Sequence, residues 1–276
     1  MKLKEVLADT AIKLSKSGIE GAARDARILT AFALEIPISE LSLKINEQVS
    51  GKITSKLEKL ILRRINREPI SKILGRRDFW GRTFYINENV LDPRGDTETL
   101  IDFVIEKPVK SVLELGTGSG AIAITLACEW KEVHVTAVDI SEDALLLAKL
   151  NAEKFNVQNK IHFLKSDWYD NVKGLFDLII SNPPYIGLVE QDELSAEVIK
   201  YDPEIALFAG RDGLDAYRRI IPSLSKFLNP DGFVALETGA SQSNQVKNMM
   251  NAVGFIDAKI VKDLSGKDRL VAAKLA

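Results

Sequence analysis

Along the first part of the chain, apolar side chains recur near every 3.6 positions. Leu3, Val6, Leu7, Ala11, Ile12 and Leu14 form one such series, and Ile28, Leu29, Phe32 and Ala33 another. That period puts each series on one face of a helix. A third helix is expected over KITSKLEKLILRRIN, with Pro69 as its punctuation. No strand pattern interrupts this stretch, so residues 1–75 are expected to form a small helical domain. DFWGRTFYINENVL then alternates apolar and polar positions around a glycine, which predicts a hairpin serving as a linker over residues 76–92.

From Lys110 the texture becomes strand, helix, strand. SVLELG, HVTAVDI, IHFLKS, FDLIIS and FVALETG read as strands. SGAIAITLACEW, SEDALLLAKLNAEKF, LDAYRRIIPSLSKFL and SQSNQVKNMMNAVG read as helices. Such alternation over residues 93–276 predicts an α/β fold, a mainly parallel Rossmann-like sheet covered by helices on both faces. FIDAKIVKDL and RLVAAKLA follow each other as strands and suit an antiparallel pair at one edge.

Composition narrows the class. Hydrophobic residues make up 46% of the 276, enough for a substantial core. No apolar run reaches the length of a membrane span, and MKLKEVLADTAIKLSKSG lacks the apolar centre of a signal peptide, so a cytoplasmic protein without membrane contact is expected. One cysteine, Cys128, allows no internal disulfide, and two isolated histidines offer no metal site. The net charge of −2 gives no global attraction to nucleic acid. Locally, Lys52 to Arg82 holds ten Lys/Arg against three Asp/Glu, which reads either as solvated helix faces or as a polyanion contact.

Two features carry candidate chemistry for a cofactor. The loop Glu114-Leu-Gly-Thr-Gly-Ser-Gly120 joins the first strand of the sheet to its helix. Gly116, Thr117, Gly118, Ser119 and Gly120 form a backbone that a ligand can approach closely. Asp139 ends the next strand, where a carboxylate can accept the hydroxyls of an adenosine ribose. The loop by itself suits a dinucleotide as well as S-adenosylmethionine. Asp167 and Trp168, after the third strand, suit an adenine: the carboxylate for its amino group, the indole for its face.

The stretch FDLIISNPPYIG decides between the two ligands. A buried strand is halted by Asn182-Pro183-Pro184-Tyr185, a rigid corner poor in donors. The Asn182 side-chain carbonyl and the Pro183 backbone carbonyl are two acceptors at a fixed angle, matched to a planar –NH2, and Tyr185 can lie against the group that carries it. An amide nitrogen is a poor nucleophile because its lone pair is delocalised. Acceptors that tighten as it pyramidalises favour the transition state. Hydride transfer has no use for such a corner, so the cofactor read here is S-adenosyl-L-methionine.

With these residues, the sequence resembles the PrmC/HemK family of protein-glutamine methyltransferases. The likeness runs through REPISKILGRRDFWG, LDPRGDTETL, ELGTGSG, AVDIS, SDW, NPPYI, YDPEIALFAGRDGL and LETGASQ. It implies a class I S-adenosylmethionine-dependent methyltransferase sheet behind an N-terminal helical substrate-docking domain. The implied activity is methylation of the glutamine amide in the Gly-Gly-Gln motif of class-I peptide chain release factors. By position, Gly116 to Gly120, Asp139 and Trp168 would line the cofactor, Asn182 would bridge it to the substrate, and Asn182-Pro183-Pro184-Tyr185 would hold the glutamine amide. One departure is Gly95, where the family's loop usually carries proline; it implies a looser lid over the cofactor. The corner alone also suits adenine, cytosine or guanine, so a nucleic-acid amino-methyltransferase is the alternative. A slightly acidic chain with a compact helical appendage favours the release factor and argues against nucleic acid. Nothing in the sequence demands more than a monomer.

Overall fold

Strands β1 (Arg76–Phe79) and β2 (Arg82–Tyr85) pair antiparallel in the computed structural model, which describes residues 1–275. Their two-residue turn places Trp80 at φ 48° and Gly81 at φ 69°. Positive φ at both positions is what a type I′ hairpin turn requires.

The main sheet has seven strands: β3 (Ser111–Leu115), β4 (His134–Asp139), β5 (Ile161–Lys165), β6 (Phe176–Ser181), β7 (Leu228–Glu237), β8 (Phe255–Lys262) and β9 (Asp268–Leu275). Their order is β5-β4-β3-β6-β7-β9-β8. The first five in that order are parallel; β9 runs antiparallel to both β7 and β8. The antiparallel pair read from the sequence is present, but β9 is inserted between β7 and β8, so only β8 forms the edge. The expected long helix LDAYRRIIPSLSKFL is broken into Asp215–Ile220, a 3-10 turn Ile221–Ser223 and Leu224–Phe227. Pro222 lies at the break and has no N–H to continue an α ladder.

Each central strand serves two cores. Val112, Leu178, Ile180, Ala235 and Leu270 face one cluster with Leu100, Ile101 and Val104 of helix Glu98–Ile105. Leu113, Leu115, Ile179, Val234 and Leu236 face the other, against Tyr217, Ile220 and Met250. Alternation at period two thereby puts Glu114 on the face of Val112, and Glu237 on the face of Ala235.

The chain divides into two units: Met1–Gly75 with Ser195–Tyr201, and Arg76–Leu194 with Asp202–Ala276. Helices Leu3–Lys16, Ala22–Leu34 and Gly51–Ile65 build the first around Leu14, Leu29, Leu57 and Ile61. Ser50 caps the third by accepting from Ile53 N–H. Inside this unit Arg64 Nε donates to buried Asp25 at 2.8 Å, and its Nη1 reaches Glu197 at 3.3 Å. The Tyr201 hydroxyl donates to the Asn66 carbonyl at 2.8 Å. Those long-range bonds are why 195–201 groups with the helices and not, as sequence order suggests, with residues 93–276.

Candidate functional site

In a parallel sheet all strands deliver their carboxyl ends to one edge, and ligands bind there. Here β3, β4, β5 and β6 end respectively at the glycine loop, Asp139, Asp167-Trp168 and the Asn182 corner. They surround a cleft of about 330 Å³. Gly116, Thr117, Gly118, Ser119, Asp139, Asp167, Trp168, Asn182 and Pro184 all line it. Gly120, Pro183 and Tyr185 do not.

The loop is tied down by its neighbours. Gly116 and Thr117 N–H both donate to the Val138 carbonyl at 2.9 Å. Gly118 N–H donates to Asp139 Oδ2 at 2.8 Å, and Ser141 N–H to Oδ1 at 2.9 Å. Asp139 thus organises the loop, and each of its oxygens keeps a lone pair for a ligand hydroxyl. Burial raises its pKa, opposed by these backbone bonds. Gly120 has a packing role instead. At φ 81°, a Cβ on it would fall 2.8 Å from Ile124 Cδ1 and 3.1 Å from Ala148 Cβ, so only glycine lets helices Ala121–Glu129 and Glu142–Lys154 approach this closely.

Sequence reasoning did not single out Glu114 as a site residue. It lines the cleft at 1% exposure, and its Oε2 accepts from Thr117 Oγ1 at 2.6 Å and Ala123 N–H at 3.1 Å. Its Oε1 has no hydrogen-bond partner. Burial pushes the carboxyl up to about 8, with Asp139 adding to the rise. The available signal was an acid flanked by Leu113 and Leu115 in a buried strand. Asp167 lines the cleft, and its Oδ2 pairs with Arg219 at 2.8 Å. Trp168 lines the cleft at φ 52°, an unfavourable backbone for a large residue, of the kind held in place at functional sites.

The proline corner is braced from two sides. Asn182 Nδ2 donates to Thr97 Oγ1 at 3.0 Å, which leaves Asn182 Oδ1 as the free end of the amide. Gln242 Nε2 donates to the Tyr185 carbonyl at 2.8 Å and to the Asp212 carbonyl at 3.3 Å. Burial raises the Tyr185 phenol to about 12, so it stays neutral. Beyond the corner, Ile186 N–H donates to the Leu207 carbonyl and Ala209 N–H to the Ile186 carbonyl, which fixes 205–210 along the cleft. Arg94, in the loop that carries Gly95, is held by Asp202 at 2.6 Å. Thr97, Gln242 and Asp202 were not foreseen as site residues, because their partners are distant in sequence.

The basic run from Lys52 to Arg82 is largely engaged within the protein. Lys56 pairs with Glu35, Arg63 with Glu68, Arg64 with Asp25 and Arg82 with Glu129. Arg67 donates to the carbonyls of Ser17 and Gly18, and Arg77 to that of Pro93. Among the described residues no helix is long and apolar enough to cross a membrane, and no cluster of His, Cys, Asp and Glu could hold a metal.

Fold and cleft together define a methyltransferase-type domain, and residues 89–205 match the Methyltransferase small domain family. Residues 5–75 match the PrmC N-terminal domain family. Release factor glutamine methyltransferase from Cereibacter sphaeroides is 40% identical, covering 100% of this chain and 99% of the relative. The Caulobacter vibrioides protein of the same name is 36% identical, over 98% and 96%. The chain belongs to the release factor glutamine methyltransferase family. It also matches a Bifunctional methyltransferase of Rickettsia felis at 38% identity, and there it spans 98% of its own length but 57% of the relative's. Two solved structures share the fold. The hMettl16 catalytic domain, in complex with an RNA hairpin, aligns at TM-score 0.58 and 17% identity, over 79% of this chain and 81% of that one. The T. thermophilus 16S rRNA N2 G1207 methyltransferase aligns at TM-score 0.52 and 17% identity, over 73% and 50%.

Proposed function

We propose that this protein transfers a methyl group from S-adenosyl-L-methionine to the side-chain amide nitrogen of the glutamine in the Gly-Gly-Gln motif of class-I peptide chain release factors. The observation that carries the reading is the Asn182 corner beside the cleft, with Nδ2 anchored on Thr97 and Oδ1 left to accept. Relatives of nearly the same length bear the corresponding name. In this reading residues 1–75, with 195–201 packed among them, are the substrate-docking domain, 76–92 the linker and the rest of 93–276 the methyltransferase domain.

The cleft residues fit the cofactor. Gly116 and Gly118 have open space where a Cβ would stand. Asp139 keeps acceptor capacity for a ribose, and the unpartnered Glu114 Oε1 offers a polar atom in an otherwise buried wall. When bound, S-adenosylmethionine supplies an electrophilic methyl on a sulfonium. The chain's own work is orientation. Asn182 Oδ1 and the Pro183 carbonyl accept the two amide protons of the glutamine and favour the pyramidal nitrogen. Prolines 183 and 184 fix that angle before the substrate arrives, so little ordering remains for the reactive complex. An amide methylated on nitrogen is strongly acidic and releases its proton to Asn182, the Pro183 carbonyl or water, so no histidine is needed.

The test uses methyl-labelled S-adenosylmethionine with purified class-I release factor, its Gly-Gly-Gln Gln→Ala variant, total RNA and DNA in parallel. Label is expected in the intact release factor alone. Label in RNA or DNA and none in the release factor would overturn the substrate while keeping the amine chemistry.

A further inference from the structure

Glu237 ends β7 on the sheet face that carries Ala235 and Leu270. It is 0% exposed, and neither carboxylate oxygen has a hydrogen-bond partner. A carboxyl left so in a core is costly, and its retention calls for a reason. Three strand and helix ends meet beside it. Ser181, just before Asn182, is in register with Leu236, just before Glu237. Thr97, 4% exposed, begins the helix whose Leu100, Ile101 and Val104 pack in the same cluster as Ala235. Thr97 Oγ1 accepts from Asn182 Nδ2 at 3.0 Å.

A hydroxyl has one proton to give. When Thr97 accepts from Asn182, that proton must go elsewhere, and the Glu237 carboxylate is the anion buried on that side. The Thr97 hydroxyl is near enough to favour the ionised form of Glu237, yet outside bonded geometry in this structure. The opposite arrangement sends the Thr97 proton to the Asn182 carbonyl oxygen. Asn182 would then turn its NH2 towards an incoming amide NH2, donor against donor, and the corner would lose an acceptor. The amide of Asn182 has two nearly isosteric orientations, so something must choose between them.

We propose that Glu237 is a positioning residue for amide methylation: its carboxylate draws the Thr97 proton, so that Thr97 accepts from Asn182 Nδ2 and Asn182 presents Oδ1 to the substrate. This rests on the reading of Asn182 as the glutamine acceptor. The device is sensitive to pH, because a protonated Glu237 can itself donate to Thr97 and release the Thr97 proton towards Asn182. Burial pushes Glu237 up to about 7; Thr97, Arg269 and Arg94 pull it down and Asp96 pushes it up. The phenols of Tyr185 and Tyr217 also face it, and both stay neutral through this range.

The experiment measures kcat at saturating cofactor and release factor from about pH 5.5 to 9, for wild type, Glu237→Met, Thr97→Val, Thr97→Ser and the Glu237→Met/Thr97→Val double variant. Wild-type kcat is expected to rise through about pH 7. Glu237→Met and Thr97→Val should each fall at least tenfold and lose that rise. Cofactor Kd should stay within about threefold and the melting temperature of Glu237→Met should not drop, since an unpartnered carboxyl is removed. Thr97→Ser should restore the rate, and the double variant should be no slower than the worse single. Wild-type kcat and pH profile in Glu237→Met overturn the proposal, as do multiplicative losses in the double variant. If Glu237→Met does not fold, an unchanged pH profile in Thr97→Val overturns it in the same way. No transfer by the wild type to release factor would bring down the functional reading and this inference together.

Discussion

Replacing Glu114 by glutamine should stabilise the protein at neutral and alkaline pH and flatten its pH dependence. The carboxyl is 1% exposed in β3 and titrates at about 8, against 4.5 for a free glutamate, with burial the leading cause. Between those values the unfolded chain has released a proton that the folded chain still holds, so stability falls as pH rises. Each pH unit in that window removes about 1.4 kcal/mol. The loss is about 3 kcal/mol by pH 7 and about 4 kcal/mol by pH 8, and it levels off at about 5 kcal/mol above about pH 9, where both states are ionised. Glutamine has no proton to lose. Its carbonyl can take over the bonds from Thr117 Oγ1 and Ala123 N–H, and its NH2 falls where Oε1 has no partner. Urea denaturation of both proteins at about pH 5, 6, 7 and 8 reads the difference directly. Near pH 5 the two should be close, with the variant gaining at each step upward. Parallel curves over that range would refute the account of Glu114 as a buried, proton-holding carboxyl.

Other expectations follow from single contacts. Asn182→Ala removes the proposed amide acceptor and should cut kcat by about 10²–10³ with cofactor Kd within several-fold; turnover near normal in a radiolabel assay would contradict the clamp. Asp139→Ala should weaken cofactor binding by about 1.5–3 kcal/mol in calorimetry, whereas unchanged affinity removes it from the site. Gly95→Pro should be accepted: Arg94 at φ −94°, ψ 146° suits a residue before proline, Gly95 opens the 3-10 turn, and a Cβ there meets nothing within 4 Å. A gain of about 0.4–1 kcal/mol is expected, and a lowered melting temperature would show that this loop needs glycine. Arg64→Met leaves Asp25 buried without its main partner and should cost about 3–5 kcal/mol in denaturant, a figure that a neutral result would rule out.

Much of the site was legible because parallel strands bring their ends together by construction. Once SVLELG, HVTAVDI, IHFLKS and FDLIIS are recognised as strands, the glycine loop, Asp139, Asp167-Trp168 and Asn182 must share an edge, and the cleft is lined by all of them. The sequence did not reveal which of these groups already had partners. Asp167 pairs with Arg219, 52 positions away, and Asp139, read as a ribose acceptor, also accepts from the Gly118 N–H of the loop. Gly120 has the right motif position and a packing role, since Ala148 comes from another helix.

What the sequence determined by itself is the periodicities, hence the helical region and the α/β sheet, and the rigid proline corner, since proline fixes φ and removes a donor whatever surrounds it. Tertiary structure decided the rest. It placed β9 between β7 and β8, grouped 195–201 with the first helices, and set Thr97 against Asn182 across 85 positions. It also made Glu114 and Glu237 unusual acids. A glutamate's local sequence says little about its ionisation; only burial, removing water from the charged form, lifts its pKa towards neutrality.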